Sequence, residues 1–179
     1  MPSTRIERLL AADYLGELPA RPIEEIRSMR ADCQEVEVAL SYVRRLVQGR
    51  IDIVAAEQRR RAEGGEPVDL ATLVENLPGI LAEHTHAPGV GRLPTLMAPS
   101  PEDAQALTAE LDAVIDADRL GSLSELSDED TTRLSESLIE LERSVSARRR
   151  ALHERIDALQ AELTRRYRTG EASVESLLR

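Results

Sequence analysis

Five polar residues spaced four, three, four and four apart, Glu37, Ser41, Arg44, Gln48 and Asp52, return 105 residues later as Glu142, Ser146, Arg149, His153 and Asp157. Each set brings two carboxylates, a hydroxyl, a guanidinium and an amide or imidazole. A guanidinium bonds phosphate oxygens, or the O6 and N7 edge of guanine, with two parallel donors, and a carboxylate accepts from guanine N1 and N2. The repeat is wider than these residues. Over 35–61 against 140–166, 12 of 27 positions are identical, among them Glu35/Glu140, Arg45/Arg150, Arg50/Arg155, Ile51/Ile156, Glu57/Glu162, Arg60/Arg165 and Arg61/Arg166. A charge pattern does not reproduce itself at that density by chance, and the segment reads as a duplicated helix.

The elements that must position the stripe are two long helices. The first starts at Pro22, a residue suited to a helix N-terminus, and reads to about Ala62, where Gly64, Gly65 and Pro67 end it. Val36, Leu40, Val43, Val47, Ile51 and Val54 form its apolar seam. The second runs from about Asp128 to Arg168, with Leu134, Leu138, Leu141, Val145, Leu152, Ile156, Leu159 and Leu163 as its seam and Gly170 as its end. Arg148 interrupts that seam where the first copy has Val43. A short helix near Ser3–Leu10 precedes the first copy. Two more, Asp69–Ile80 and Pro101–Ala117 with Asp69 and Ser100 as N-caps, lie between the copies. Pro88, Gly89, Gly91, Pro94 and Pro99 mark the connection between those two as irregular. The chain thus divides into 1–62, an acidic connecting segment 63–126, and 127–179 with its tail. The expected fold is all-α, two long helices packed along their seams with shorter helices inserted between them.

On a helix the stripe residues fall within about 80° of one another, so one face presents all five. Each of Glu37, Ser41, Gln48 and Asp52 follows a seam residue by one position, which places the stripe beside the seam, outside the core. If the helices pack antiparallel, a pseudo-twofold axis relates them and both stripes emerge on the same side, with the axis near Arg44 and Arg149. The result is a groove with two equivalent halves. Phosphate plus guanine, twice over, describes a cyclic guanine dinucleotide.

The pattern Glu-x3-Ser-x2-Arg-x3-Gln-x3-Asp resembles the cyclic di-GMP signature of the RsiG anti-sigma factors of actinobacteria. The first copy matches at all five positions, and the second departs at His153, where an imidazole stands for the amide. The resemblance implies an all-α fold, an antiparallel two-helix coiled coil with shorter helices inserted between the two long helices, that holds a cyclic di-GMP dimer and, so loaded, sequesters a WhiG-type sigma factor from RNA polymerase. On that basis the ligand residues are Glu37, Ser41, Arg44, Gln48, Asp52, Glu142, Ser146, Arg149, His153 and Asp157. Because one chain carries both halves, a monomer in a 1:1 complex with sigma is expected.

Composition narrows the alternatives. With Tyr14, Tyr42 and Tyr167 as the only aromatics, the core must be Leu, Ile, Val and Ala, which suits helices packed along seams. All 23 basic residues are Arg. The net charge of −10 is concentrated in 66–130, where 14 acidic residues face only Arg92 and Arg119. Such a segment argues against nucleic acid and permits docking on a basic protein, although a solvated face is the commoner reason for it. Cys33 stands alone, consistent with a reducing cytoplasm and with a small buried apolar role. No stretch reads as a signal peptide or a membrane span. His84 and His86 without a third ligand read as loop residues, so no metal is expected. The runs Arg59–Arg61 and Arg148–Arg150 lack stacking aromatics and read as solvated faces or neighbours of a ligand phosphate. Gly49 reads as a tolerated helix weakness. With no nucleophile and base pair and no glycine-rich phosphate loop, the chain reads as a binder. The runner-up is a structural coiled-coil adaptor indifferent to nucleotide; a dinucleotide-processing enzyme trails both.

Overall fold

The computed structural model describes residues 5–65 and 100–171. The expected helix at Asp69–Ile80, the irregular connection with His84 and His86, the first residues of the Ser3–Leu10 helix and the tail beyond Glu171 lie outside the described residues. Within them the chain is all-α and contains no strand: α1 (Arg5–Leu10), a 3-10 turn (Leu18–Ala20), α2 (Ile23–Ala62), α3 (Pro101–Val114), α4 (Ala117–Gly121), a second 3-10 turn (Leu123–Glu125) and α5 (Asp128–Thr169).

The two long helices carry the fold. α2 begins immediately after Pro22, with Glu24 and Glu25 in its first turn and Arg59, Arg60 and Arg61 in its last, each sign matched to the helix dipole. α5 is capped by Ser127, whose hydroxyl accepts from the Asp130 backbone N–H at 3.1 Å, and ends at Gly170 with φ 76°. The apolar positions recur every seventh residue: Ile26, Cys33, Leu40, Val47 and Val54 on α2, and Leu138, Val145, Leu152 and Leu159 on α5, all buried. That recurrence is the seam of a coiled coil. Burying each such Leu or Val contributes about 1.5–3 kcal/mol, which offsets the modest helix propensity of the β-branched residues.

The short helices cover one side of this pair. α3 packs chiefly on α2 and inserts Leu107 and Leu111, while α1 lies on α5 and inserts Ile6 and Leu9. Arg5 ties the layer together. Its Nη2 donates to Asp32 at 2.8 Å and to Glu35 at 2.7 Å on α2, and its Nη1 donates to Asp103 at 2.8 Å on α3.

One expected element is shorter than the sequence pattern suggested. The helix at Pro101 starts with Ser100 as its cap, accepting from the Asp103 N–H, but stops at Val114 instead of Ala117. Ile115 turns extended so that its side chain can enter the core, and Asp116 then caps a new helix by accepting from the Arg119 N–H. Burial of one isoleucine outweighs three residues of helical continuity. At position 148, the expected seam interruption, the Arg148 guanidinium reaches out to Glu110 of α3 at 2.9 Å.

Candidate functional site

The stripe lies on the face of the helix pair turned away from the short-helix layer. On α2 the buried arc runs from Ile26 and Leu40 round to Arg50 and Glu57, whose side the short helices occupy, and Glu37, Ser41, Arg44, Gln48 and Asp52 project from the opposite edge. No proline interrupts α2 between Ile23 and Ala62 or α5 between Asp128 and Thr169, so each stripe stays on one continuous face.

The helices are antiparallel and the two stripes interlock. Arg44 Nε donates to Glu142 Oε1 at 2.8 Å and to Ser146 Oγ at 2.9 Å, and the Ser146 hydroxyl donates to the same Glu142 oxygen at 2.9 Å. Its counterpart 105 residues away obeys the same rule: Arg149 Nε donates to Glu37 Oε1 at 2.6 Å. The amide and imidazole positions also correspond. The Gln48 side chain hydrogen-bonds to Glu142, and His153 Nε2 lies 3.2 Å from Glu37 Oε1. Each glutamate is therefore held by the arginine and by the amide or imidazole of the other helix. The midpoint of the two bridges falls at Leu40–Ser41 on α2, so the pseudo-twofold axis passes about one turn before Arg44.

The halves differ in detail. Ser146 joins its cluster, whereas Ser41, half-buried, makes no comparable bond among the described residues. Asp52 is half-buried with a polar contact of its own; Asp157 is exposed. Both lie one turn beyond the amide or imidazole of their copy, and Asp157 lines an open depression with Gln160, Thr164, Arg165 and Arg168. Burial pushes the Glu142 carboxyl up, but the hydrogen bonds from Ser146 and Arg44, the Arg44 charge and Gln48 outweigh it and hold the group below the ordinary carboxylate range. Both arginines spend Nε on the bridge. No hydrogen bond among the described residues occupies their Nη amines, and the side chains are about a third exposed, 34% for Arg44 and 31% for Arg149. Two guanidinium forks, fixed at one edge and open at the other, can each take an anionic oxygen or a guanine edge.

Several duplicated residues that look equally polar in sequence serve the scaffold. Arg155 Nη2 donates to the carbonyls of Leu10 at 2.7 Å and Ala11 at 3.3 Å, closing the C-terminal end of α1. Its counterpart Arg50 donates to the carbonyl of Ile115 and to Asp112. Arg166 donates to the Leu18 carbonyl at 2.8 Å, and Arg61 to the Leu123 carbonyl at 2.7 Å. Glu57 orients Arg60 and Arg61 as Glu162 orients Arg165 and Arg166. The Arg59–Arg61 run is thus not wholly a solvated face, since Arg60 and Arg61 are engaged inside the fold. The targets Leu10/Ile115 and Leu18/Leu123 are themselves 105 apart. The repeat therefore reaches back to Ala12–Leu18 and Ala117–Leu123, Ala-Asp-Tyr-Leu-Gly-Glu-Leu against Ala-Asp-Arg-Leu-Gly-Ser-Leu. That signal was present in the sequence, outside the window of the long helices.

Among the described residues no group of three or more His, Cys, Asp or Glu side chains converges as a metal site. No helix described is long and apolar enough to cross a membrane. The fold and site define an antiparallel helix pair, built from a tandem repeat, with a pseudo-twofold polar face. A family model described as RsiG-like matches residues 12–81 and 117–179, and the chain belongs to that family, which places it among anti-sigma factors. The two matched stretches open at Ala12 and Ala117, the same point of each repeat. No curated protein matches the chain.

Proposed function

We propose that the chain is an anti-sigma factor armed by cyclic di-GMP, which it holds as a dimer between the two stripes, and that the loaded form sequesters a WhiG-type sigma factor. The observation that carries the reading is the pair of crossed bridges, Arg44 to Glu142 and Arg149 to Glu37, related by the repeat. They present two open guanidinium forks to one groove, as a twofold ligand with two phosphates requires. Family membership supports the sigma partner. Glu37, Ser41, Asp52, Glu142, Ser146 and Asp157 supply acceptors and hydroxyls around the forks, with Gln48 and His153 between them.

Coupling is a difference in affinity for sigma between the empty and loaded forms. Nucleotide in the groove adds anionic surface and holds the helices in one register, so that basic sigma regions meet a rigid acidic face. The acidic segment 66–130 is a second docking element in this scheme. The chain acts as a binder and not an enzyme, works in the cytoplasm as one polypeptide per sigma, and binds no DNA itself.

One observation favours the adaptor reading instead: each stripe arginine bridges a stripe glutamate of the other helix, as flanking charges of a structural coiled coil do. Calorimetric titration of cyclic di-GMP into the chain, alone and with a WhiG-type sigma factor, separates the two. Binding strengthened by sigma is expected. Sigma binding indifferent to nucleotide would leave the adaptor.

A further inference from the structure

Arg45 and Arg150 are outside the five-residue pattern, yet they are identical in both copies and occupy equivalent places one residue after the bridging arginines. Both are exposed, and no hydrogen bond or ion pair among the described residues reaches either guanidinium. Most of the molecule's arginines are spent on carboxylates or backbone carbonyls, as expected of a chain with a net charge of −10. On the helix surface Arg45 neighbours Ser41 and Gln48, and Arg150 neighbours Ser146 and His153, at spacings of four and three. Each therefore stands at the outer rim of its half of the groove, on the side away from the seam.

We propose that Arg45 and Arg150 are a second tier of anion contacts, which fold over the rim of the groove onto the phosphodiester oxygens of the bound cyclic dinucleotide. The assignment rests on the nucleotide reading given above. The inner arginines sit beside the seam with one edge fixed, so they suit geometric recognition. The outer pair are untethered and suit a phosphate, whose oxygens accept from many directions. Their surroundings make them unequal. Beside Arg45, position 49 is a glycine, and a Cβ there would meet nothing within 4 Å. Beside Arg150 the equivalent position is Glu154, whose carboxylate one turn away partly offsets the Arg150 charge.

The test is calorimetry of cyclic di-GMP binding to the full chain and to Arg45→Ala, Arg150→Ala and the double variant at low salt. Arg8→Ala/Arg119→Ala, which removes the same charge from the opposite layer, serves as control. The expected loss is about fivefold for Arg45→Ala, about twofold for Arg150→Ala and about tenfold for both, in line with solvent-exposed charge contacts. At high salt these differences should shrink, because exposed charges are screened within about 3 Å near 1 M ionic strength. Helicity and melting should not change, since neither guanidinium has a partner to lose. If wild type binds and the double variant binds equally well, or the control weakens binding as much, the rim assignment is wrong while the nucleotide reading stands. If wild type does not bind, both fall.

Discussion

Arg44→Ala separates a ligand contact from a structural ion pair, because the geometry sets the two costs apart. The Arg44 and Glu142 side chains are 34% and 22% exposed, and a bridge so open to solvent is worth about 0.2–1 kcal/mol. Removing the arginine does not orphan Glu142, which keeps Ser146 and Gln48 as donors. The expected loss of stability is therefore about 1 kcal/mol or less, a fall of about 2–4 °C in melting temperature for a chain of this size. Leu152→Ala sets the scale for a true core residue. Leu152 is 0% exposed on the seam, and its truncation should cost about 2–5 kcal/mol. Binding should respond in the opposite order. Hydrogen bonds to charged groups are worth about 1.5–3 kcal/mol each, so loss of a two-donor fork should weaken nucleotide affinity by about 100-fold or more. Urea unfolding followed by circular dichroism gives the first quantity and calorimetric titration the second. Destabilisation of Arg44→Ala comparable to that of Leu152→Ala, with affinity unchanged, would refute the reasoning and make the stripe a structural device.

Further predictions come from other parts of the molecule. Hydrogen bonds from Arg165 and Arg166 depress the Glu162 carboxyl to about 2, against about 4.3 in an unfolded chain. Its contribution is thus fully present above about pH 4.3 and lost as pH falls through about 2, so Glu162→Gln should flatten the acid limb of a melting-temperature profile. An equal loss at every pH would contradict this. Arg155→Met should remove the donor that closes α1 and raise amide hydrogen exchange in residues 5–11, with α5 exchange unchanged; uniform loosening of both would place Arg155 in the core instead. Replacing residues 66–99 by a short linker, which keeps α3 with the buried Leu107, Leu111 and Ile115, should weaken sigma binding as a docking acidic segment requires, and unchanged affinity would reduce that stretch to a spacer.

Most of the scaffold was legible because it is periodic. The heptad recurrence of Leu138, Val145, Leu152 and Leu159, the Pro22 start and the Gly170 stop each act within a few residues, and together they define both long helices. The antiparallel orientation came with the family resemblance and was a premise for reading the stripes together; in the structure that packing brings Arg44 to Glu142 and Arg149 to Glu37. The break after Val114 was not legible. It depends on the core burial of Ile115, which is 1% exposed, and local propensity contains no trace of that burial. The division of labour among arginines was also hidden. In sequence Arg44, Arg45, Arg50 and Arg61 are equivalent duplicated cations. Only packing shows that one bridges the groove, one is open to solvent and two hold the carbonyls of the short-helix layer. The two copies of Ala-Asp-x-Leu-Gly-x-Leu were readable, and they show that the duplicated unit includes the layer behind the site as well as the helix that bears it.

The central claim is that one chain holds a complete twofold nucleotide site. Its most direct test is the stoichiometry of cyclic di-GMP binding, from calorimetry, with the chain's own mass measured in the loaded complex by light scattering. The account predicts two nucleotides on one polypeptide, with affinity increased by the sigma factor. Two polypeptides in the loaded complex, or no heat from a folded helical chain with and without sigma, would contradict it.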